Sequence, residues 1–75
     1  MTKAEMLEAT IKAYCKYRDS WMLWETANET QLLVDKELAD KLATENYNKA
    51  NAIEELGKTI FPNVDFYDLW LDTIE

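Results

Sequence analysis

The 75-residue sequence has no histidine and only one cysteine, one proline and one glycine. The single thiol, Cys15, excludes an internal disulfide, and without histidine the common zinc sites lack their usual ligands. A lone thiol is typical of a reducing compartment, and there is no basic stretch followed by an apolar run of the kind that directs secretion. We therefore expect a cytoplasmic protein. No segment approaches the roughly 20 apolar residues of a membrane span, so we expect no membrane contact.

Basic residues are also scarce. Lys and Arg number 8 against 15 Asp and Glu, which gives a net charge of −7. Such a surface repels phosphate backbones and anionic lipid, so we expect no direct nucleic-acid binding and a protein as the partner. Residues 1–28 are electrically balanced, and the negative charge therefore belongs to the rest of the chain.

The short length limits residues 1–75 to a single domain. A domain of this size buries only about 60% of its unfolded surface, and its core alone seldom supplies more than roughly 3–5 kcal/mol. Hydrophobic residues nevertheless make up 48% of the chain, including three Trp and four Tyr. With no disulfide to stabilise the fold, this apolar surplus predicts an interface that homo-oligomerisation completes.

The scarcity of helix breakers favours an all-α fold, since Gly57 and Pro62 both lie late in the sequence. Thr2 and Glu5 form a capping box that begins the first helix. The polar stretch 26–30 predicts a turn. The expected architecture is an antiparallel hairpin of two long helices, about 38 Å in length, plus a short C-terminal amphipathic helix.

The second helix is predicted to begin near Thr30, with Asn28 and Gln31 as a capping pair, and to end at Leu56 because Gly57 is a natural left-handed stop. Its predicted apolar stripe consists of Leu38, Leu42, Ile53 and Leu56. Polar side chains interrupt this stripe at Glu45, Asn46 and Lys49. The interruption predicts either an exposed or kinked stretch or a polar interface that fixes the oligomer register.

The C-terminal segment predicts a third helix after a connector at 58–62, capped by Asn63 or Asp65. Its apolar side carries Phe66, Leu69, Trp70 and Ile74, and its acidic side carries Asp68, Asp72 and Glu75. Burying one Phe or Leu contributes roughly 1.5–3 kcal/mol, so we expect the helix to dock on the protein's own core. Exchange between protomers and presentation to a partner's groove are the alternatives.

The first helix has an unusually wide apolar arc, which predicts that it contacts two neighbours. One part of the arc carries Ala4, Leu7, Ile11, Tyr14, Cys15, Trp21 and Met22, and the adjoining part carries Met6, Ala13, Tyr17 and Trp24. Aromatic residues are enriched in interface hot spots. The candidate interaction residues are Tyr14, Tyr17, Arg18, Trp21, Trp24 and Trp70. Of these, Trp21 and Trp70 are also expected in the core, where Cys15 acts as a small hydrophobe.

Arg18 lies in the middle of an apolar stripe, where its charge needs a partner. In a hairpin that turns near residue 28, Asp35 comes within reach, which predicts a buried ion pair. A guanidinium that snorkels to water is a second reading. In a third, functional reading, Arg18 with Tyr14, Tyr17 and Trp21 recognises a carboxylate, a phosphate or a base by stacking.

Two acidic pairs, Glu5-x-x-Glu8 and Glu37-x-x-Asp40, occur on the two long helices. This pattern resembles that of the all-α nucleotide pyrophosphohydrolases seen in MazG-like enzymes, in which paired carboxylates hold magnesium. The resemblance implies magnesium-dependent pyrophosphate hydrolysis. The residues themselves favour a solvated face, because Glu37 and Asp40 lie away from the Leu38 stripe. We therefore expect no catalytic residues, no metal and no cofactor.

The sequence as a whole predicts a small acidic helical protein–protein interaction module. We expect an inhibitor or adaptor that acts as a homo-oligomer, by analogy with phage-type inhibitors that mimic the charge of nucleic acid to block DNA-handling enzymes. The alternative is a nucleotide-handling protein. That alternative is either an oligomer that sequesters a phosphate ligand with Arg18 and aromatic residues, or the magnesium-dependent pyrophosphohydrolase.

Overall fold

A computed structural model describes residues 1–30 and 35–74, apart from the side chains of Asn28 and Thr30. The described residues form three helices and no strand: α1 (Lys3–Thr30), α2 (Lys36–Ile60) and α3 (Phe66–Ile74). α1 packs along α2 and also against α3, so the prediction that the first helix has two neighbours is confirmed. The all-α fold with two long helices and one short helix is confirmed as well.

The long helices run antiparallel. The Thr10 side chain lies near Gly57, and the Trp21 ring lies 6.0 Å from the Tyr47 ring, so the residue number rises on one helix as it falls on the other. Neighbouring antiparallel helices are what a short connection produces.

Each helix begins at a side-chain cap. The Thr2 hydroxyl accepts from the Glu5 backbone N–H at 3.1 Å, and Glu5 Oε1 accepts from the Thr2 N–H at 3.2 Å, so the predicted capping box is formed. Asp35 caps α2 by accepting from two backbone N–H groups. Asp65 accepts from the Asp68 N–H at 3.1 Å, which selects Asp65 over Asn63 as the cap of α3. These bonds satisfy amide groups that have no partner within the helix.

The predicted turn at 26–30 is wrong, because α1 continues to Thr30. The residues there are weak helix formers rather than breakers, and each costs at most about 0.7 kcal/mol relative to Ala. α2 begins after Asp35 instead of near Thr30. Gln31, the second member of the predicted capping pair, lies outside the described residues.

The predicted helix stop at Gly57 is also wrong. Gly57 is buried inside α2, which continues to Ile60 and closes with a bond from the Phe61 N–H to the Gly57 carbonyl at 2.6 Å. A Cβ atom at position 57 would lie 2.6 Å from the Phe66 ring, so the residue is small because α3 packs there. The connector is consequently 61–65 rather than 58–62.

The buried side of α2 consists of small residues: Ala39, Ala43, Ala50 and Gly57. The predicted leucine stripe lies beside it, and Leu38 and Leu56 are exposed. The small residues allow a close approach of the backbones, and large side chains from α1 and α3 fill the space. Glu45 and Lys49 are exposed on a helix that continues through them, which is the exposed stretch among the predicted alternatives.

The core is mainly aromatic. It consists of Tyr14, Ala50, Phe61, Phe66 and Trp70, with partly buried apolar residues around them. α3 supplies the fully enclosed Phe66 ring, whose edge meets the Tyr14 ring with the centroids 5.9 Å apart. The predicted docking of α3 on the protein's own core is present, although Leu69 and Ile74 are more exposed than the predicted apolar side implies.

Candidate functional site

Arg18 occupies the centre of an aromatic cage. The residue is only 7% exposed, and its Cζ atom lies 5.1–5.7 Å from five ring centroids. The rings come from all three helices and belong to Tyr14, Trp21, Tyr47, Tyr67 and Trp70. A cation within about 6 Å of an aromatic ring is attracted by the ring quadrupole, by about 2 kcal/mol or more when it is desolvated.

Arg18 is connected to a carboxylate through a single hydroxyl group. Arg18 Nε donates to the Tyr14 hydroxyl at 2.9 Å, and that hydroxyl donates to Glu54 Oε2 at 3.4 Å. Glu54 in turn forms an ion pair with Lys58 at 3.2 Å. Burial raises the pKa of Tyr14 against the opposing effects of the Arg18 guanidinium, so the hydroxyl stays protonated and connects the cation to the carboxylate.

The predicted ion pair between Arg18 and Asp35 is wrong. Asp35 is exposed and its side chain caps α2, and neither ion pair among the described residues involves Arg18. The prediction placed the hairpin turn near residue 28. Because α1 continues further, Asp35 serves the start of α2 instead of reaching the middle of α1.

Trp70 fixes α3 to the cage. Its indole N–H donates to Asp19 Oδ1 at 2.8 Å, and its ring meets the Trp21 ring edge-on with the centroids 6.2 Å apart. A buried indole needs a partner for its N–H, and the carboxylate beside Arg18 in sequence provides it. The cage therefore joins α3 to the hairpin and closes over the guanidinium.

The six predicted interaction residues divide into two groups. Tyr14, Arg18 and Trp70 are buried in the cage, together with the half-buried Trp21. Tyr17 and Trp24 are half-buried on the adjoining part of α1. The structure thus brings four of the six together in one cluster. The expectation that Trp70 and Trp21 belong to the core agrees with this arrangement.

On the adjoining side of the hairpin, a second region has apolar side chains that are exposed to solvent. We call it the open face. Its positions recur every three or four residues, so they share one side of each helix. On α1 they are Met6, Ala9, Ala13, Tyr17, Ser20 and Trp24, and on α2 they are Leu38, Leu42, Glu45, Lys49, Ile53, Leu56 and Ile60. Leu56 is 67% exposed, and Leu38 is 51% exposed.

A groove of about 350 Å³ runs between the two helices at one end of the open face. It is lined by Ala9, Thr10, Ala13, Ile53, Leu56, Gly57 and Ile60. Nearer the middle of the face, the Lys49 ammonium lies 5.5 Å from the centre of the Tyr17 ring. The α1 side chains that line the groove are small, and the aliphatic side chains of Leu56 and Ile60 are exposed beside them.

The acidic pairs do not form a metal site in the described part of the chain. Glu5 reaches back to cap α1, and Glu8 pairs with Lys12 at 3.3 Å on the exposed surface. Glu37 and Asp40 are exposed on α2. Across residues 1–30 and 35–74, no three Cys, Asp or Glu side chains lie close enough together to hold a metal ion. The donor set that the resemblance to MazG-like enzymes implies is not assembled there.

Cys15 is half-buried against the core cluster. Burial, followed by the negative charge of Asp19, raises the pKa of its thiol. The thiolate is the reactive form, so both effects make Cys15 less reactive at neutral pH and are consistent with its expected role as a small hydrophobe.

Several residues of both regions were absent from the candidates chosen from the sequence. Tyr47, Tyr67 and Glu54 complete the surroundings of Arg18, and Ile60 belongs to the open face. Ile60 lies seven residues after Ile53, and this helical spacing places the two side chains on the same side of α2. Tyr47 and Tyr67 carried no such signal, because they meet Arg18 only through the packing of other helices.

None of the helices in the described residues is long and apolar enough to cross a membrane. The chain was compared with protein-family models, with curated proteins and with solved structures, and none of the three comparisons found a match.

Proposed function

We propose that this protein is a small acidic interaction module that works by binding protein chains through the open face, as an inhibitor or adaptor acting in homo-oligomeric form. The observation that carries the proposal is the groove between α1 and α2, beside which the side chains of Leu56 and Ile60 are exposed to solvent. A contiguous apolar surface of this kind on a soluble chain typically marks an interaction site.

The energetics favour an occupied groove. Fully burying one Leu or Ile side chain contributes roughly 1.5–3 kcal/mol, and a domain of this size has a core worth only roughly 3–5 kcal/mol. Leu56 is 67% exposed and Ile60 is 45% exposed, so covering both would add about 2–3 kcal/mol, a large fraction of the stability that such a core supplies. A helix is the natural occupant, since apolar side chains at helical spacing fit a groove between two helices.

The acidic charge lies away from the groove and would select the client protein. Asp65 caps α3, and Asp68 and Asp72 are exposed on it. The negative charge of Asp65, followed by smaller effects that include Asp72, raises the pKa of Asp68. Such a concentration of negative charge attracts a basic protein surface and speeds encounter with it. A basic protein that handles nucleic acid would suit this surface, which is the analogy with phage-type inhibitors.

Arg18 is not part of the proposed binding surface. Five rings and the Tyr14 hydroxyl surround its guanidinium, so a phosphate ligand would have to displace packed side chains to reach it. The carboxylates that a magnesium-dependent mechanism needs are likewise dispersed in the described residues. Both observations support a binding protein over a nucleotide-handling protein.

A photo-crosslinking amino acid at position 56 tests the proposal inside the native cell. We expect crosslinks from position 56 to protein, either to a second copy or to a heavier partner. Leu23 is the matched control, because it is 64% exposed, as Leu56 is, but lies on the outer side of α1 away from the groove. If position 56 gives no more protein crosslinks than position 23, the open face is not an interaction surface.

A further inference from the structure

We infer that the occupant of the open face is a second copy of this chain, so that two hairpins pack face to face with both α3 helices outward. This inference rests on the proposed function, because it names the partner of the same surface. Three observations carry it: the position of α3, the size of the face and the distribution of charge.

With α3 in this position, two sides of α1 have no neighbour among the described helices: the outer side, which carries the exposed Glu8 and Lys12, and the side that belongs to the open face. Phe66 and Trp70 cover the side of α1 that carries Tyr14 and Trp21. α2 lies along α1, and the open face spans the seam between them. Two such hairpins, placed face to face, form a layer of four long helices in which each apolar seam is buried, as in a helical bundle.

The length of the hairpin is compatible with a stable dimer. The molecule measures 43 × 23 × 19 Å, and the open face runs along its longest dimension. The whole 43 by 19 Å outline covers roughly 800 Å², so a face that runs the length of the hairpin can contribute up to about the area that each partner supplies to an interface of standard size. The hairpin is thus long enough to associate with its copy without help from α3.

The distribution of charge favours a copy over a basic partner at this face. Its central charged residues are Glu45 and Lys49, which carry opposite charges. Asp65, which caps α3, and Asp68 and Asp72 within α3 lie outside the open face. A two-fold axis near the middle of the face sets these unlike charges against each other, because the same patch is used by both protomers. A basic partner would instead be drawn to the acidic side of α3.

Sedimentation equilibrium of the purified chain tests the inference. We expect wild type to sediment with twice the 8.8 kDa protomer mass at micromolar concentration. Leu56→Glu and Ile60→Glu each bring a carboxylate into the apolar seam and should weaken dimerisation by about 100-fold or more. Leu23→Glu introduces the same charge at an equally exposed leucine outside the face and should leave the dimer intact.

Salt dependence separates self-association from binding to a basic partner. Each protomer carries a net charge of −7, so raising the salt from about 20 mM to about 300 mM screens repulsion between copies and should tighten the dimer. An interface with a basic protein would weaken over the same range. A dimer that weakens with salt would contradict the assignment of an apolar seam between like-charged copies.

A cysteine pair keeps the test valid if the glutamate variants fail to fold. In a Cys15→Ser background, the proposed axis sets position 45 of one copy against position 49 of the other, so a mixture of Glu45→Cys and Lys49→Cys chains should oxidise to a mixed covalent dimer, while Asp72→Cys chains should not form a covalent dimer. A wild-type chain that stays monomeric at about 100 μM, or covalent dimers formed equally by the open-face cysteines and by Asp72→Cys, overturns the inference. A monomeric chain that still crosslinks to another protein from position 56 would overturn this inference and the homo-oligomeric form, but would leave the binding of another protein through the open face standing.

Discussion

Gly57→Ala tests the close packing between α2 and α3. Two opposing effects decide the outcome. Alanine in a helix interior is favoured over glycine by about 1 kcal/mol, since glycine loses more backbone entropy on folding. Against this gain, the new methyl group would lie 2.6 Å from two carbons of the Phe66 ring and 3.3 Å from the Thr10 methyl group.

The Phe66 ring has no room to yield. It is fully buried and its edge meets the Tyr14 ring, so accommodating the methyl group requires a movement of about 1 Å in the most tightly packed part of the core. Overpacking of this kind costs typically 1–3 kcal/mol. We therefore expect Gly57→Ala to be destabilising by about 1 kcal/mol net, which lowers the melting temperature by about 4–8 °C in a chain of this length.

Urea unfolding monitored by circular dichroism at one fixed protein concentration measures the effect. Ala52→Gly supplies the control, because Ala52 is exposed on the same helix and the change reports the alanine–glycine difference without packing. Gly57→Ala should cost less in a Phe66→Leu background than in wild type, because the leucine removes the ring edge. If Gly57→Ala stabilises the protein by as much as Ala52→Gly destabilises it, the contact with Phe66 does not constrain position 57.

Three further predictions concern the cage and α3. Arg18→Ala should cost about 3 kcal/mol by emptying the cage, whereas Arg18→Leu should cost about 1–2 kcal/mol because it keeps the volume; losses below about 0.5 kcal/mol in urea unfolding for both variants would show that the cage is not structural. Folding raises the pKa of Tyr14, so the native state holds this proton more tightly than the unfolded chain, and stability should fall as the pH rises above about 10. Tyr14→Phe should flatten that alkaline decline relative to wild type, and an unchanged slope would contradict the role of the hydroxyl. A chain truncated after Phe61 loses Phe66 and Trp70 from the core and should lose its cooperative melting transition; native helicity and an unchanged melting temperature would show that α3 is dispensable.

The properties that the sequence determined by itself are local ones. The low glycine and proline content indicated helices, the Thr2 capping box marked the start of α1, and Asp65 was one of two caps proposed for α3. Each depends on interactions within three or four residues, which the order of the residues specifies directly. The spacing of Phe66 and Trp70 likewise indicated that α3 would dock. The anomaly of Arg18 was also visible, because a charge within an apolar stripe needs compensation wherever the helix lies.

Only the tertiary structure decided which side of α2 is buried and what surrounds Arg18. Helical periodicity shows which residues share a side, but it favoured the larger leucines over Ala39, Ala43 and Ala50. Small residues form the buried side of α2 because they let two backbones approach closely, while aromatic rings from other helices fill the remaining space. The same packing placed Gly57 against Phe66 and replaced the expected Asp35 by an aromatic cage, since those contacts join residues far apart in the chain. It also left Leu38 and Leu56 of the predicted stripe exposed, and the proposed function rests on the open face to which they belong.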